Sequence, residues 1–501
     1  MTSSRQTQEP SASEGDDVKH RRLARARTPW ALLCLYLGMG LALSGCASLA
    51  PPYVRPDLPV PEHIDAATSV AQQDAAGLPW QDFFADAQLR ALIHQALANN
   101  RDLRQTLLRV EEARAAYGIQ RAERLPSIGA AFEATRARVP ADLNLSRQVL
   151  LGNQIQAGLG LASWELDFWG RVRSLSDEAL HNYLATEAAS RAATLSLVAQ
   201  VANSYLGLRE LDERLLLARQ SAASRQESLR IFRRRVALGA TSRLELTQVE
   251  LLWQQASMLV AQLEQARAAQ AHALTLLVGA EPVLRPAAEH LDDLALFRPL
   301  PAGLRSEQLL QRPDVAASEE ALRAAHAHIG AARAAFFPRV ALSGNLGSAS
   351  AELSGLFDSG SRAWTLSPSI SLPLFDGGRR QAALDLAEVR RNAAVARYEQ
   401  TVQAAFRDVL DALSARQWLG EQLLILRSTL AVQTERARLA KLRYDSGAAR
   451  YLEVLDAERE LLAIQQQHVQ ARRAWLAAQV ALYTALGGGA LPLAAQQDSR
   501  P

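Results

Sequence analysis

Apolar and polar residues alternate through "SISLPLF", Ser369 to Phe375, with Ile370, Leu372 and Leu374 on one side of a strand and polar residues on the other. At Asp376-Gly377-Gly378 the period changes. From Arg379 to about Tyr444 apolar residues recur at helical spacing and no proline interrupts them. The same switch occurs earlier, where "IQAGLGLASWELDF" from Ile155 gives way, after Trp169-Gly170, to a helical pattern from Arg171 to Leu238. At 1.5 Å per residue each such helix is about 100 Å long, against a usual globular length of about 11–12 residues. Helices of that length must pack on one another in the manner of coiled coils. Gly239 and Gly447 turn the chain back into shorter helices predicted over Ser242 to Val278 and Tyr451 to Ala485. Moderate helices are predicted over Asp86 to Glu123 and Arg305 to Ala335, ended by Pro126 and Pro338. Two strand segments follow each: "SIGAAFEATRARV" and "IQAGLGLASWELDF", then "RVALSGNLG" and "WTLSPSISLPLF".

This order occurs twice. Asp102 matches Asp314 and Pro126 matches Pro338 at an offset of 212; Phe168 matches Phe375 and Gly170 matches Gly377 at 207; Gly239, Leu244, Glu250 and Gly279 match Gly447, Leu452, Glu458 and Gly487 at 208. So small a drift indicates two structural copies. The chain divides into a signal peptide with a polar leader (1–45), an extended arm (46–85), a first repeat (86–280), an equatorial linker (281–304), a second repeat (305–489) and a tail (490–501).

The N-terminus changes the picture of location. Arg21, Arg22, Arg25 and Arg27 precede the apolar run "WALLCLYLGMGLAL", short for a membrane span but suited to a signal-peptide core. "LSGC" follows, the pattern of a bacterial lipobox, so Cys46 is the expected lipidation site, carrying diacylglycerol and an N-acyl chain. Ala47 in place of aspartate points to sorting to the outer membrane. The alternative is a plain signal peptide beside an incidental cysteine. The only other cysteine, Cys34, lies in the removed segment, so no disulfide is expected.

Four strands are too few for a transmembrane barrel, and an unpaired sheet edge cannot face lipid. If these strands lie in a membrane, several chains share one closed barrel. Phe132, Trp164, Phe168, Trp169, Trp364 and Phe375 are candidate interface anchors. The glycines of the corners Gly170 and Asp376-Gly377-Gly378 permit the backbone angles with which a strand hands over to a helix. A formal charge of +3 with mixed signs argues against nucleic acid as a partner. No dinucleotide or ATP motif and no metal spacing among the nine histidines is present, so an enzyme is not expected. His326 and His328, two apart on a helix, read as part of a polar face.

"PWQDFFADAQLRALIHQALANNRDLR", "SWELDFWGR", "QRPDVAASEEALRAAHAHIGAARAAFFPRVALSG", "SISLPLFDGGRR", "GATSRLELTQVE" and "YLEVLDAERELL" resemble the motifs of the outer-membrane factor family of tripartite RND-type efflux pumps, in its NodT-like lipoprotein branch. The resemblance covers about Pro51 to Gly489. It implies a mixed α/β membrane protein: a homotrimeric 12-stranded outer-membrane β-barrel, four strands per chain, continued by a long periplasmic α-helical barrel. The residues after Cys46 are expected to run along the outside of the barrel. The implied partners are a periplasmic adaptor, an inner-membrane transporter and outer-membrane lipid. The adaptor would contact the hairpin turns at Gly239, Ala240, Thr241 and at Asp445, Ser446, Gly447. The periplasmic gate maps to Leu452, Asp456 and Arg459, spaced to share one helical face. Leu452 would form a collar, Asp456 an acidic ring, and Arg459 the salt bridges of the closed state; Arg443 and Tyr444 are secondary gate candidates. The expected function is a passive, gated exit duct for small drugs or toxic compounds. The alternatives are a duct for secreted protein or metal ions, or a lipid-anchored periplasmic coiled-coil scaffold. Met258, the sole methionine after Cys46, gives no sign of a copper path.

Overall fold

The computed structural model describes residues 49–61, 78–284, 296–298 and 306–488. Cys46, most of the equatorial linker and the tail lie outside the described residues. In the first repeat α1 (Ala87–Asn99) and α2 (Arg101–Ala122) lead to β1 (Ile128–Val139) and β2 (Leu150–Glu165), then to α3 (Arg171–Ala237) and α4 (Arg243–Val278). In the second, α5 (Pro313–Ala334) leads to β3 (Arg339–Ser350) and β4 (Arg362–Ser371), then to α6 (Arg379–Asp445) and α7 (Tyr451–Ala485). α3 and α6 each have 67 residues.

The long helices and their return helices begin and end as the sequence pattern predicts; the moderate helices before the strands do not. The helix expected over Asp86 to Glu123 breaks at Asn100, and the one expected from Arg305 begins only at Pro313, after a 3₁₀ stretch at Ser306–Gln311. Asn100 and Arg312 occupy the same place in the two repeats, and both are extended, with ψ of 127° and 135°. The Asn100 side chain accepts from Leu103 N at 2.8 Å, starting a new helix, and donates to Leu277 O at 2.9 Å in the last turn of α4. Arg312 donates to Ala485 O at 3.0 Å, at the end of α7. Each break thus satisfies an otherwise orphaned carbonyl where its own repeat's return helix ends. The arm expected over 46–85 is not extended throughout: Trp80–Phe83 forms a helical turn, and Phe83 and Phe84 are fully buried. Phe83 stacks on Tyr483 at 4.2 Å and on Phe297 at 5.2 Å, forming the centre of the main hydrophobic core with Tyr205, Leu206 and Val480. Burial raises the pKa of the Tyr205 hydroxyl to about 12.

The four strands form one antiparallel sheet in the order β1-β2-β3-β4. β4 ends at Ser371, so Leu372, Leu374 and Phe375 lie beyond the strand expected to contain them. Ser371 pairs with Arg339, the first residue of β3, and Pro373 has no N–H to offer a ladder. β2 begins at Leu150, ahead of the expected Ile155, because Leu150 to Asn153 pair with Val139 to Arg136. One extra residue between Leu161 and Trp164 makes a bulge that bends β2 before it reaches the helices.

The described arm, 49–61, lies against helices rather than strands. Tyr53, Leu58 and Val60 pack on a cluster containing Val315, Leu322, Tyr398 and Val402 of α5 and α6. Arg55 makes a forked pair with Glu319, at 2.9 Å from each carboxylate oxygen, and Arg323 reaches the same carboxylate at 2.7 Å. The helices offer the arm an apolar groove and a buried carboxylate.

Candidate functional site: sheet, corners and hairpin tips

Register sorts the sheet by polarity. Phe132 opposes Ala157, Leu159 opposes Leu346, Leu346 opposes Trp364, and Val340 opposes Ile370, so these residues share one face. On the other face Glu133 opposes Gln156, Gly158 opposes Gly347, Asn345 opposes Thr365, and Ser343 opposes Ser367. The apolar face is uncovered in the single chain: Phe132 is 64% and Trp364 70% exposed. β1 and β4 leave their outer edges without a partner strand among the described residues. An apolar face beside a polar one is the pattern of a sheet between lipid and water. Its open edges require further strands.

The strand-to-helix corners are where the sequence places them. Gly170 (φ 72°) and Gly378 (φ 87°) precede α3 and α6 in the left-handed conformation, and Gly377 (φ 66°) shares it. Asp376 accepts from the backbone N–H groups of Gly378 and Arg380, both at 3.2 Å, and from Arg380 Nε at 2.7 Å. It therefore serves as an acidic cap at the positive end of α6. Asp167 does the same for α3 by accepting from Arg173 N at 2.8 Å. Trp169 stacks on Phe337 at 4.8 Å and donates to Pro338 O at 2.8 Å, tying one repeat's corner to the other's strand entry. These contacts give Trp169 a packing role.

At the far end both hairpins turn in the same way. Ala240 N donates to Arg235 O, and Ala448 N to Arg443 O, both at 2.8 Å, around Gly239 and Gly447 in the left-handed conformation. Thr241 bonds Glu245, and Lys441 pairs with Asp445 at 3.1 Å; Ser446 donates to Arg443 O at 2.9 Å. The hairpins meet through tyrosines. Tyr444 bonds Arg235 of α3, Tyr451 bonds Ser228 of α3, and the Tyr451 ring lies 4.7 Å from Phe232.

Asp456 is brought together with Arg459 at 2.7 Å and also with Arg436 of α6 at 2.8 Å. Arg436 is absent from the sequence expectation because its partner lies twenty residues away across the turn. Asp456 is thus paired with two arginines within its own hairpin. Leu452 is 56% exposed on the same face, lining a groove of about 1140 Å³ with Leu439 and Val432. Arg443 pairs with Glu453 at 2.9 Å. His326 and His328, expected on a polar face, are engaged between elements, His328 with Glu178 at 2.7 Å and His326 with Pro51 O at 2.8 Å; His181 likewise meets Glu320 at 2.7 Å.

One turn along, the repeats diverge. Glu250 pairs with exposed Arg233 at 3.0 Å. Its counterpart Glu458 is half-buried, and burial raises its pKa above 4.5 despite the attraction of Arg225. The ionised form is therefore the costly one. The folded chain binds this proton more readily than the unfolded chain does. Its contribution is fully present below about pH 4.5 and is lost as pH rises through the folded value. Glu458→Gln is expected to flatten the dependence of melting temperature on pH above 4.5. Melting curves of both proteins in detergent, taken from acid to neutral pH, check this; parallel curves would refute it.

A polarity-sorted sheet with open edges, set on helical hairpins whose longer arm runs about 100 Å, defines an outer-membrane channel subunit with a large periplasmic part. Residues 92–280 and 304–488 match the model of the outer membrane efflux protein family, and the chain belongs to that family. It is 44% identical over 471 residues to the outer membrane protein OprJ of Pseudomonas aeruginosa, covering 90% of this chain and 94% of that one. Over 466 residues it is 41% identical to the toluene efflux pump outer membrane protein TtgF of Pseudomonas putida, covering 91% and 96%. Over 454 residues it is 39% identical to the cation efflux system protein CusC of Escherichia coli, covering 90% and 98%. A crystal structure of a membrane protein from Pseudomonas aeruginosa superposes with a TM-score of 0.83 at 42% identity, covering 88% of this chain and all of that one. The protein is the outer-membrane channel component of an efflux system.

Proposed function

We propose that three copies close the sheet into a 12-stranded barrel, β4 of one chain pairing with β1 of the next, and that the helices continue its lumen across the periplasm. The observation that carries this reading is the register-sorted sheet whose two edges lack partners. Cys46 carries the lipid anchor of a NodT-like lipoprotein. The exposed turns at Gly239 to Thr241 and Asp445 to Gly447 receive a periplasmic adaptor, which links the duct to a proton-driven RND-type transporter. The duct catalyses no reaction; selectivity follows its width and lining charge.

The inner end closes around Leu452 and Asp456. Asp456 is latched by Arg436 and Arg459, and hairpin α6–α7 is held to α3 by Tyr444 and Tyr451. Opening requires α6–α7 to leave α3 and so to break those contacts. The cargo is small organic toxicants, in line with the likeness to a toluene efflux protein; the likeness to a cation efflux protein keeps metal ions as the second reading. Among the described residues no group of histidines, cysteines and carboxylates is set to hold a metal. Purified protein in planar bilayers is expected to show small conductance steps, and Asp456→Ala to enlarge them several-fold. Absence of channels in both proteins would sink the duct. Restored tolerance to toluene, but not to silver or copper, in a host lacking its own channel would separate the two cargoes.

A further inference from the structure

We propose that the cavity beneath the N-terminal arm binds the phosphate-bearing headgroup of a membrane phospholipid. The inference rests on the reading that the strands cross the outer membrane. The cavity holds about 340 Å³, room for a headgroup-sized ligand. The arm from Pro51 to Pro56 roofs it, α5 forms one wall and α6 the other.

Its charged groups come from two helices. Arg391 of α6 is half-buried, its Nε is fully shielded from solvent, and that atom has no hydrogen-bond partner. Arg391 also forms no ion pair with the described residues. A shielded, unpartnered guanidinium N–H is costly unless something fills the role. Arg333, in the last turn of α5, reaches Glu388 only at 3.6 Å, and both side chains are more than 40% exposed. That pair is loose enough to be exchanged for a stronger one. Two guanidinium groups facing one space suit a phosphate, which takes forked, charge-assisted hydrogen bonds.

The remaining lining favours a lipid over a free ion. Leu322, Ile329 and Val395 supply apolar wall, of use to a glycerol backbone and none to inorganic phosphate. The roof includes three prolines, which carry no backbone N–H, and the His326 ring is held by Pro51 O at 2.8 Å, so the arginines are the charged donors left to the cavity. Position agrees as well. Arg333 lies six residues before Arg339, where β3 enters the sheet. The five residues from Cys46 to Pro51 span at most about 17 Å, which keeps the cavity within reach of the surface where a lipidated Cys46 would lie. A bound headgroup would pin the arm, α5 and α6 together at the membrane surface.

The test is titration of the purified full-length protein in detergent with a short-chain phosphatidylglycerol and, separately, with inorganic phosphate, read by native mass spectrometry. The lipid is expected to bind about tenfold more tightly than phosphate, and Arg391→Gln to weaken it by about tenfold, as loss of a charge-assisted hydrogen bond implies. Glu388→Gln, which leaves the arginines in place and removes the competing carboxylate, is expected to tighten it. Equal binding of lipid by wild type and Arg391→Gln would overturn the proposal, as would phosphate binding as tightly as lipid. Destabilised oligomers of Arg391→Gln with unchanged lipid binding would assign the arginine to a second copy instead. The same preparations are tested for conductance: channels without lipid selectivity defeat this inference alone, whereas absence of channels defeats the reading beneath it.

Discussion

Gly347→Val is expected to abolish assembly of the membrane sheet. Gly347 of β3 faces Gly158 of β2 at the seam that joins the two repeats. A Cβ at 347 would lie 2.2 Å from Ala157 O and 2.5 Å from Gly158 Cα; one at 158 would lie 2.6 Å from Leu346 O. The obstructing atoms are backbone, so no side chain can turn aside. The strands would have to separate, and the ladder that links the repeats would be lost. Overpacking of a well-packed core costs about 1–3 kcal/mol, and a backbone clash at the seam between the strand pairs falls at or above the upper limit. The expected result is a chain that is exported but yields no heat-resistant oligomer in the outer membrane. Gly152→Val is the control: it lies in β2 of the same sheet, yet a Cβ added there would meet nothing within 4 Å. Equal oligomer yields for the two variants would refute the argument.

Arg312→Ala is expected to lower the unfolding free energy by about 3 kcal/mol, the low end for breaking a buried ion pair, since its partners Asp314 and Asp408 remain partly exposed. The Arg312 side chain is 9% exposed and serves several groups at once: Asp314 at 3.0 and 2.6 Å, Asp408 at 3.4 Å, and the carbonyl of Ala485 at 3.0 Å. Removing it orphans the carbonyl and leaves Asp314 without its counter-charge, while Asp408 keeps Arg407 at 2.8 Å. Arg312→Lys is expected to rescue only in part, because an ammonium cannot reproduce the forked contact with Asp314. In the other repeat Asn100→Ala removes a neutral cap and is expected to cost about 1 kcal/mol. Chemical unfolding of the three variants in detergent, followed by helical signal, gives the ranking; a loss at Asn100 equal to that at Arg312 would contradict the assigned roles.

The contrast between these two positions shows how far the sequence can be read. The repeat alignment pairs Asp102 with Asp314 and so also pairs Asn100 with Arg312, yet neither stands out as a break. Asn100 carries a visible signal, an amide side chain before "RDL", suited to an N-cap. Arg312 carries only Pro313 after it, which marks a helix start without revealing that the arginine caps a helix ending some 170 residues later. The gate shows the same limit. Asp456 and Arg459 share a helical face and are legible from spacing, whereas Arg436 reaches them across a turn. Phe375 reads as part of a strand because the alternation of "SISLPLF" continues past the point where β3 has residues left to pair with.

Local periodicity, the absence of prolines and the placement of glycines fixed the long helices, their turns and the strand-to-helix corners, because these depend on residues close together in the chain. The twofold order of elements followed from the same patterns read at long range. Only the tertiary structure decided the sheet order, the register that gathers apolar residues of four strands on one face, and the glycine pair at the seam. It alone placed the arm on α5 and α6 and matched charges across helices. Those features depend on which segments meet. Meeting is set by packing and by the satisfaction of buried polar groups over the whole chain, and no local window of residues contains that information.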